Sequence, residues 1–278
     1  SARPLIVRDR SEHITPPETF RLIFTPDLIG VPRRSAYLLC VKAYDLDQAL
    51  RELRPRLDAD TPVILAQNGL GIFFQAASQL ERSIPIVRLC CNFGARTVAP
   101  LTIDLSGPPA ISAAAPAENR AWLRCISAIL ARAGFDVEEL GTVAEAEWRK
   151  ALINLPINAV CSVLNTENRS LNDDPGLWSV ALDVLHEACA VARREGFELE
   201  SRAEDWLRAA LERHGGNINS TLADLRAGNK TECDYLLGRF LRIAADYGID
   251  TPVSTTLYRL CRYLETGALA PHPVWREH

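Results

Sequence analysis

The sequence predicts an N-terminal α/β domain built on a parallel sheet, followed by an all-helical C-terminal domain. Three observations predict it. Short apolar runs without alternation, at residues 37–41 (YLLCV), 62–66 (PVILA) and 84–91 (IPIVRLCC), are separated by helical stretches. That is the pattern of parallel strands covered on both faces. From Val143 onward almost every segment has helical spacing instead. With 278 residues, 47% of them hydrophobic, the chain is long enough for a core in each part. The domains are expected over residues 1–140 and 141–278.

Each element follows in order. Leu5-Ile6-Val7 is a short β-prone run that leads into Arg8-Asp9-Arg10. The run 37–41 ends at Lys42, and 45–57 has the apolar spacing of a helix. The run 62–66 opens into Gln67-Asn68-Gly69-Leu70-Gly71, and 84–91 is a third strand. Residues 97–106 and 110–113 read as antiparallel additions at the sheet edge. A helix over 118–133 and a last strand beginning at 134–137 complete the first domain. Helices are then predicted over 143–164, 174–195, 202–213, 230–247 and 252–265. Pro156 should kink or open the first of these. Gly215-Gly216 marks a break, and Pro252 suits a first helical turn. Ligands of such sheets bind beyond the carboxyl ends of the strands, where Lys42 and Asn68 fall. The expected cleft between the two domains is a common ligand site.

Composition removes several function classes. A formal net charge of −4 argues against nucleic acid as a partner. The eight cysteines are scattered through apolar runs and read as small buried hydrophobes in a reducing compartment. No C-x-x-C occurs and the five histidines are dispersed, so no metal site is expected. There is no apolar run of roughly 18 residues and no signal peptide, which predicts a soluble, cytoplasmic protein without a membrane partner. Apolar faces at 236–247 and 253–265 suit either a homodimer or packing within the domain.

The chemistry concentrates in residues 148–158, WRKALINLPIN, which place Lys150, Asn154 and Asn158 four residues apart. On a helix the second and third drift only about 40° and 80° from the first. The stripe reads ammonium, amide, amide on an otherwise apolar helix, and such groups need partners when buried. Lys150 is a candidate proton donor to a carbonyl oxygen that becomes an alkoxide. The plainer reading is a surface lysine paired with Glu147 or Glu145. Asn154 and Asn158 can hydrogen-bond substrate oxygens or join helices. Lys42 closes a buried strand, and the glycines at 69 and 71, just after Asn68, permit close backbone approach. Asn168 reads as a site residue or a helix cap. Ser220 and Glu232 sit at predicted helix starts, where capping alone explains them. The strand, G-x-G-x-x-G, helix signature of a dinucleotide-binding fold does not occur in the chain. Even so, Leu5-Ile6-Val7-Arg8 resembles the second strand of such a fold. Arg8 could pair with a ribose 2′-phosphate, or Asp9 with a free 2′-hydroxyl.

The segments VKAYD around Lys42, QNGLG around Asn68 and EWRKALINLPINAV around Lys150 resemble the ketopantoate reductase (2-dehydropantoate 2-reductase) family. So do Asn168, NSTLADLRAGNKTECDYLLG around Ser220 and Glu232, and YGIDTPVSTTLY. The resemblance implies a Rossmann-type NADP-binding domain, here without its first strand and glycine-rich loop, joined to a helical substrate-binding domain. It implies NADPH-dependent reduction of 2-dehydropantoate to (R)-pantoate. Lys150 would be the catalytic proton donor and Glu232 the holder of the substrate hydroxyl. Asn154, Asn158, Asn168 and Ser220 would meet the small 2-keto acid, while Lys42, Asn68 and Arg8 would meet the cofactor. A different 2-keto acid, or a non-catalytic relative, are the alternatives. The stretch from Arg10 to Lys42 is shorter than is usual in the family.

Overall fold

The computed structural model describes residues 5–8, 12–15, 36–214 and 216–267, with the side chains of 5–8, 12–15, 214 and 267 left aside. The first half holds β1 (Leu5–Arg8), β2 (Glu12–Thr15), β3 (Tyr37–Leu39), α1 (Leu46–Leu53), β4 (Val63–Leu65), α2 (Ile72–Ala77) and β5 (Ile86–Cys91). It continues with β6 (Gly94–Ala99), β7 (Thr102–Ser106), β8 (Ala110–Ala114), α3 (Arg120–Arg132) and β9 (Asp136–Glu139). The second half is helical: α4 (Val143–Leu164), α5 (Ser170–Asp173), α6 (Pro175–Arg194), α7 (Glu200–His214), α8 (Ser220–Arg226), α9 (Leu237–Asp246) and α10 (Pro252–Gly267). None of these helices is long and apolar enough to cross a membrane.

Five strands form a mixed sheet in the order β3-β4-β5-β8-β9, with β3, β4 and β5 mutually parallel. Val63, Ile64 and Leu65 of β4 are all buried, as an unalternating run in a covered sheet should be. One apolar cluster, containing Leu46, Leu50, Leu53 and Ile72, covers one part of the sheet. Another, containing Val87, Leu89, Leu123 and Ile126, joins it to α3. The Rossmann-type sheet and the helical domain behind it are those the sequence predicts.

Three placements differ from expectation. Residues 97–106, expected at the edge of the main sheet, instead pair as β6 and β7 in a second sheet. β8 is antiparallel to β5 but lies inside the sheet, because its other side pairs in parallel with β9. Its small side chains at Ala113 and Ala114 are fully buried, as an interior strand demands. β1, expected as the second strand of the dinucleotide sheet, instead pairs with β2 and, in parallel, with β7. It therefore belongs to a separate sheet, β2-β1-β7-β6. A short β-prone run specifies a strand but not its neighbour.

The organising helix is α4. Its N-terminus is capped by Thr142, whose hydroxyl accepts from the Glu145 N–H at 3.1 Å. Its end is closed by Asn165 in the left-handed region at φ 53°. Trp148, Leu152 and Leu155 are buried against α6 and the other C-terminal helices. The helix runs unbroken through Pro156 instead of opening there. Position 156 has no N–H to offer the Leu152 carbonyl, one turn earlier. The single helix predicted over 230–247 is divided into a 3-10 turn, Cys233–Tyr235, and α9. Leu236 leaves helical geometry at φ −107°, ψ −81°. The Tyr235 carbonyl instead accepts from the Leu70 N–H at 3.0 Å, outside any helix. The cysteines are only partly as expected. Cys90, Cys161, Cys189, Cys233 and Cys261 are buried, but Cys40 lies exposed just past β3 and Cys125 is exposed on α3.

Candidate active site

Because β3, β4 and β5 are parallel and in register (Leu39 beside Leu65, Leu65 beside Arg88), their carboxyl ends share one edge. That edge presents Lys42, Asn68 and Cys91 to a cleft of about 1180 Å³. Across it stand α4 with Lys150, Asn154 and Asn158, and α8 with Ser220 and Asp224. The size and mixed lining suit a ligand site between two domains.

Lys150 is half-buried, and its Nζ donates to the Cys91 carbonyl at the end of β5. Neither acidic neighbour holds it. Glu147 pairs with Arg88 and Glu145 with Arg149, so the surface-pair reading is excluded. Burial lowers the proton affinity of the Lys150 amine, and the Arg88 charge pushes in the same direction. Cys90, Cys91 and Glu232 act the other way. The Cys90 opposition is weak near neutrality, because burial pushes that thiol up and keeps it uncharged. A lysine so placed gives up a proton more readily than one in water.

Asn154 is half-buried and Asn158 buried, one and two turns along α4 on the cleft side. Asn168 does not cap a helix, since the residue at the start of α5 is Arg169. It is 7% exposed, and its Oδ1 finds no donor among the described residues. A buried carbonyl oxygen lining a cleft invites a ligand donor. Ser220 is the first residue of α8 and is exposed in the cleft wall. The cap there is Asn219, whose Oδ1 accepts from the Leu222 N–H at 2.9 Å.

Glu232 lies just outside the cleft lining, 7% exposed. Its Oε1 accepts from the Ala43 N–H at 2.9 Å, and its Oε2 from Asn68 Nδ2 at 3.2 Å. Lys42 Nζ approaches the same Oε2 at 3.9 Å and donates to Asp224 Oδ2 at 2.5 Å. The carboxylate therefore stands directly behind Asn68 and Lys42. Gly69, at φ +128°, keeps the Asn68 loop tight, because a Cβ there would meet the Tyr235 carbonyl oxygen at 2.8 Å. The side chain of Arg8 lies outside the described residues.

Sequence reasoning missed Asp224, which was legible as the residue one helical turn after Ser220 on the same face. It also missed Arg88 and Glu147. An arginine inside the apolar run IPIVRLCC was the available sign that a buried acid must exist.

Lys42 yields a pH prediction. Burial works to lower its affinity for a proton, but the hydrogen bond to Asp224 and the charges of Glu232 and Asp224 outweigh that and raise it. A raised lysine stabilises the fold fully below its unfolded value, near 10.5, and loses that contribution as the pH climbs through the raised value. At pH ~9 the wild-type protein is expected to melt above Asp224→Asn, with the gap closing at strongly alkaline pH. Melting curves of both proteins across that range check it, and a gap independent of pH would refute the pairing.

Comparison with known proteins bears on this arrangement. Residues 9–118 match the family model described as ketopantoate reductase PanE/ApbA, and residues 142–265 match its C-terminal counterpart. The 2-dehydropantoate 2-reductase of Pyrococcus horikoshii is 26% identical over 242 residues, covering 87% of this chain and 76% of that protein. A crystal structure of a PanE/ApbA family ketopantoate reductase from Ralstonia eutropha superposes with a TM-score of 0.81 at 24% identity, covering 95% of this chain and 86% of that one. A ternary structure of D-mandelate dehydrogenase with NADH and anilino(oxo)acetate gives 0.76 at 21% identity, covering 85% and 78%.

Proposed function

The chain belongs to the ketopantoate reductase family, and on that premise we propose that it reduces 2-dehydropantoate to (R)-pantoate with NADPH and Lys150 as proton donor. The observation that carries this reading is the position of Lys150. Its amine is pinned to the carbonyl of Cys91 at the carboxyl edge of the sheet, faces the cleft, and has its proton affinity lowered by burial.

The nicotinamide, when bound, supplies the hydride. The described residues fit its reacting end: a polar cleft at the carboxyl ends of β3, β4 and β5, with Asn68 and Lys42 on its wall. The G-x-G-x-x-G turn that grips a pyrophosphate does not occur in the sequence. Lys150 gives its proton to the ketone oxygen as negative charge develops there, so a 2-keto acid leaves as a 2-hydroxy acid. Asn154 and Asn158 offer amides beside that proton, and Asn168 offers an unpaired acceptor to the substrate. Ser220 adds a hydroxyl from the opposite wall. Among the contacts of Glu232, the bond from Asn68 at 3.2 Å is the one that a substrate hydroxyl would replace. Lys42 is held toward the cleft by Asp224.

The test is NADPH oxidation with 2-dehydropantoate beside a panel of other 2-keto acids, together with a titration of the protein with NADPH. Turnover of about 1 s⁻¹ or more on 2-dehydropantoate is expected. Preference for another keto acid corrects the substrate, and absence of both binding and turnover overturns the reading.

A further inference from the structure

Behind the cleft, a pair of opposite charges is sealed inside the protein. Arg88 on β5 is 0% exposed and Glu147 on α4 is 4% exposed. Their contact is 2.8 Å, Arg88 Nε to Glu147 Oε1. Burying two charges costs more than their attraction returns unless the remaining donors and acceptors are also used. Here they are. Arg88 Nη2 donates to the Gln67 carbonyl at 2.7 Å, and Nη1 to the carbonyls of Leu65 at 3.2 Å and Leu89 at 2.9 Å. Glu147 Oε2 accepts from the Gly71 N–H at 2.7 Å, and Oε1 from the Phe73 N–H at 3.2 Å.

The partners of this pair surround the site. Gln67 and Gly71 bracket Asn68. Arg88 lies three residues before Cys91, whose carbonyl receives Lys150, and Glu147 lies three residues before Lys150. We infer that Arg88 and Glu147 are positioning residues for the reaction, holding the Asn68 loop, the Cys91 carbonyl and the Lys150 helix in one rigid frame. The inference rests on the reading of Lys150 as proton donor. Neither side chain has a polar atom free to touch the substrate, so the effect passes through the groups they hold. Small displacements of such groups are costly, because an error of about 1 Å can lower turnover roughly 100-fold.

The test is the double variant Arg88→Met/Glu147→Leu, which removes both charges and strands neither. Three measurements are made: thermal melting, kcat and KM, and amide hydrogen exchange over residues 70–74. Expected are cooperative melting at a temperature lowered by the backbone groups left without partners, kcat per folded molecule lowered about 10- to 100-fold, and faster exchange at 70–74. A pair that only stabilises the fold would lower the melting temperature and leave kcat per folded molecule unchanged, and that result overturns the inference. If the double variant does not melt cooperatively, Glu147→Gln decides, read per folded molecule: a roughly 10-fold loss of kcat supports the inference, and an unchanged kcat overturns it. Lys150→Ala, measured beside them, should lose kcat with wild-type exchange at 70–74. If it keeps its kcat, the donor reading fails alone, and the pair is judged by the double variant. If the wild-type protein turns over no keto acid, exchange decides, with unchanged exchange at 70–74 in the double variant overturning the inference.

Discussion

Lys150→Ala is expected to lower kcat for 2-keto acid reduction by about 100-fold or more, with KM changed far less. General acid catalysis typically contributes 10²- to 10⁴-fold, or roughly 3–5 kcal/mol of barrier at 25 °C. The loss should fall on kcat because a proton passing to a developing alkoxide is stabilised only in the transition state. Folding should hardly suffer. The substitution leaves the Cys91 carbonyl without its donor, at about 1 kcal/mol, and it relieves the protein of a poorly solvated ammonium. Steady-state kinetics and a melting curve of the same preparation separate the two effects. A kcat near the wild-type value would remove Lys150 from the mechanism.

The largest loss of stability is expected from Arg88→Leu made alone. It strands the Glu147 carboxylate in the interior and leaves the carbonyls of Gln67, Leu65 and Leu89 without their guanidinium donor. Breaking one partner out of a buried pair costs about 3–5 kcal/mol, far more than removing both. The melting temperature should fall by on the order of 10 °C. Urea unfolding of the single and double variants measures the contrast. A single variant as stable as the double would show that Glu147 is not an uncompensated charge once Arg88 is gone.

Much of this architecture was legible in the sequence because the physics that fixes it is local. β4 reads as a covered parallel strand because all three of its residues are apolar, and α4 is bounded by a threonine cap and a left-handed asparagine. The stripe of Lys150, Asn154 and Asn158 follows from helical spacing alone, and all three line the cleft. What stayed hidden is set by partners distant in the chain. β1 pairs with β7, 96 positions further along the chain, and not with the sheet its composition suggested. The helix predicted over 230–247 is broken at Leu236, beside a Tyr235 carbonyl that accepts from Leu70, distant in the chain. Glu232 looked like a helix-start acid, but its role depends on Ala43 and Asn68, more than 160 positions earlier. Arg88 and Glu147 each look anomalous alone and make sense only together.

The turn at Gly69 carries a consequence for inheritance. Its missing side chain makes room for the Tyr235 carbonyl, which in turn receives the Leu70 N–H at 3.0 Å. Backbone of the sheet half is thus hydrogen-bonded directly by backbone of the helical half, at a point where only a residue without a side chain fits. Exchange of either half with that of a distant relative by recombination near residue 140 would pair a loop with a carbonyl it did not evolve against. Chimeras that respect the visible boundary between the two parts should therefore fare worse than that boundary suggests wherever position 69 carries a side chain.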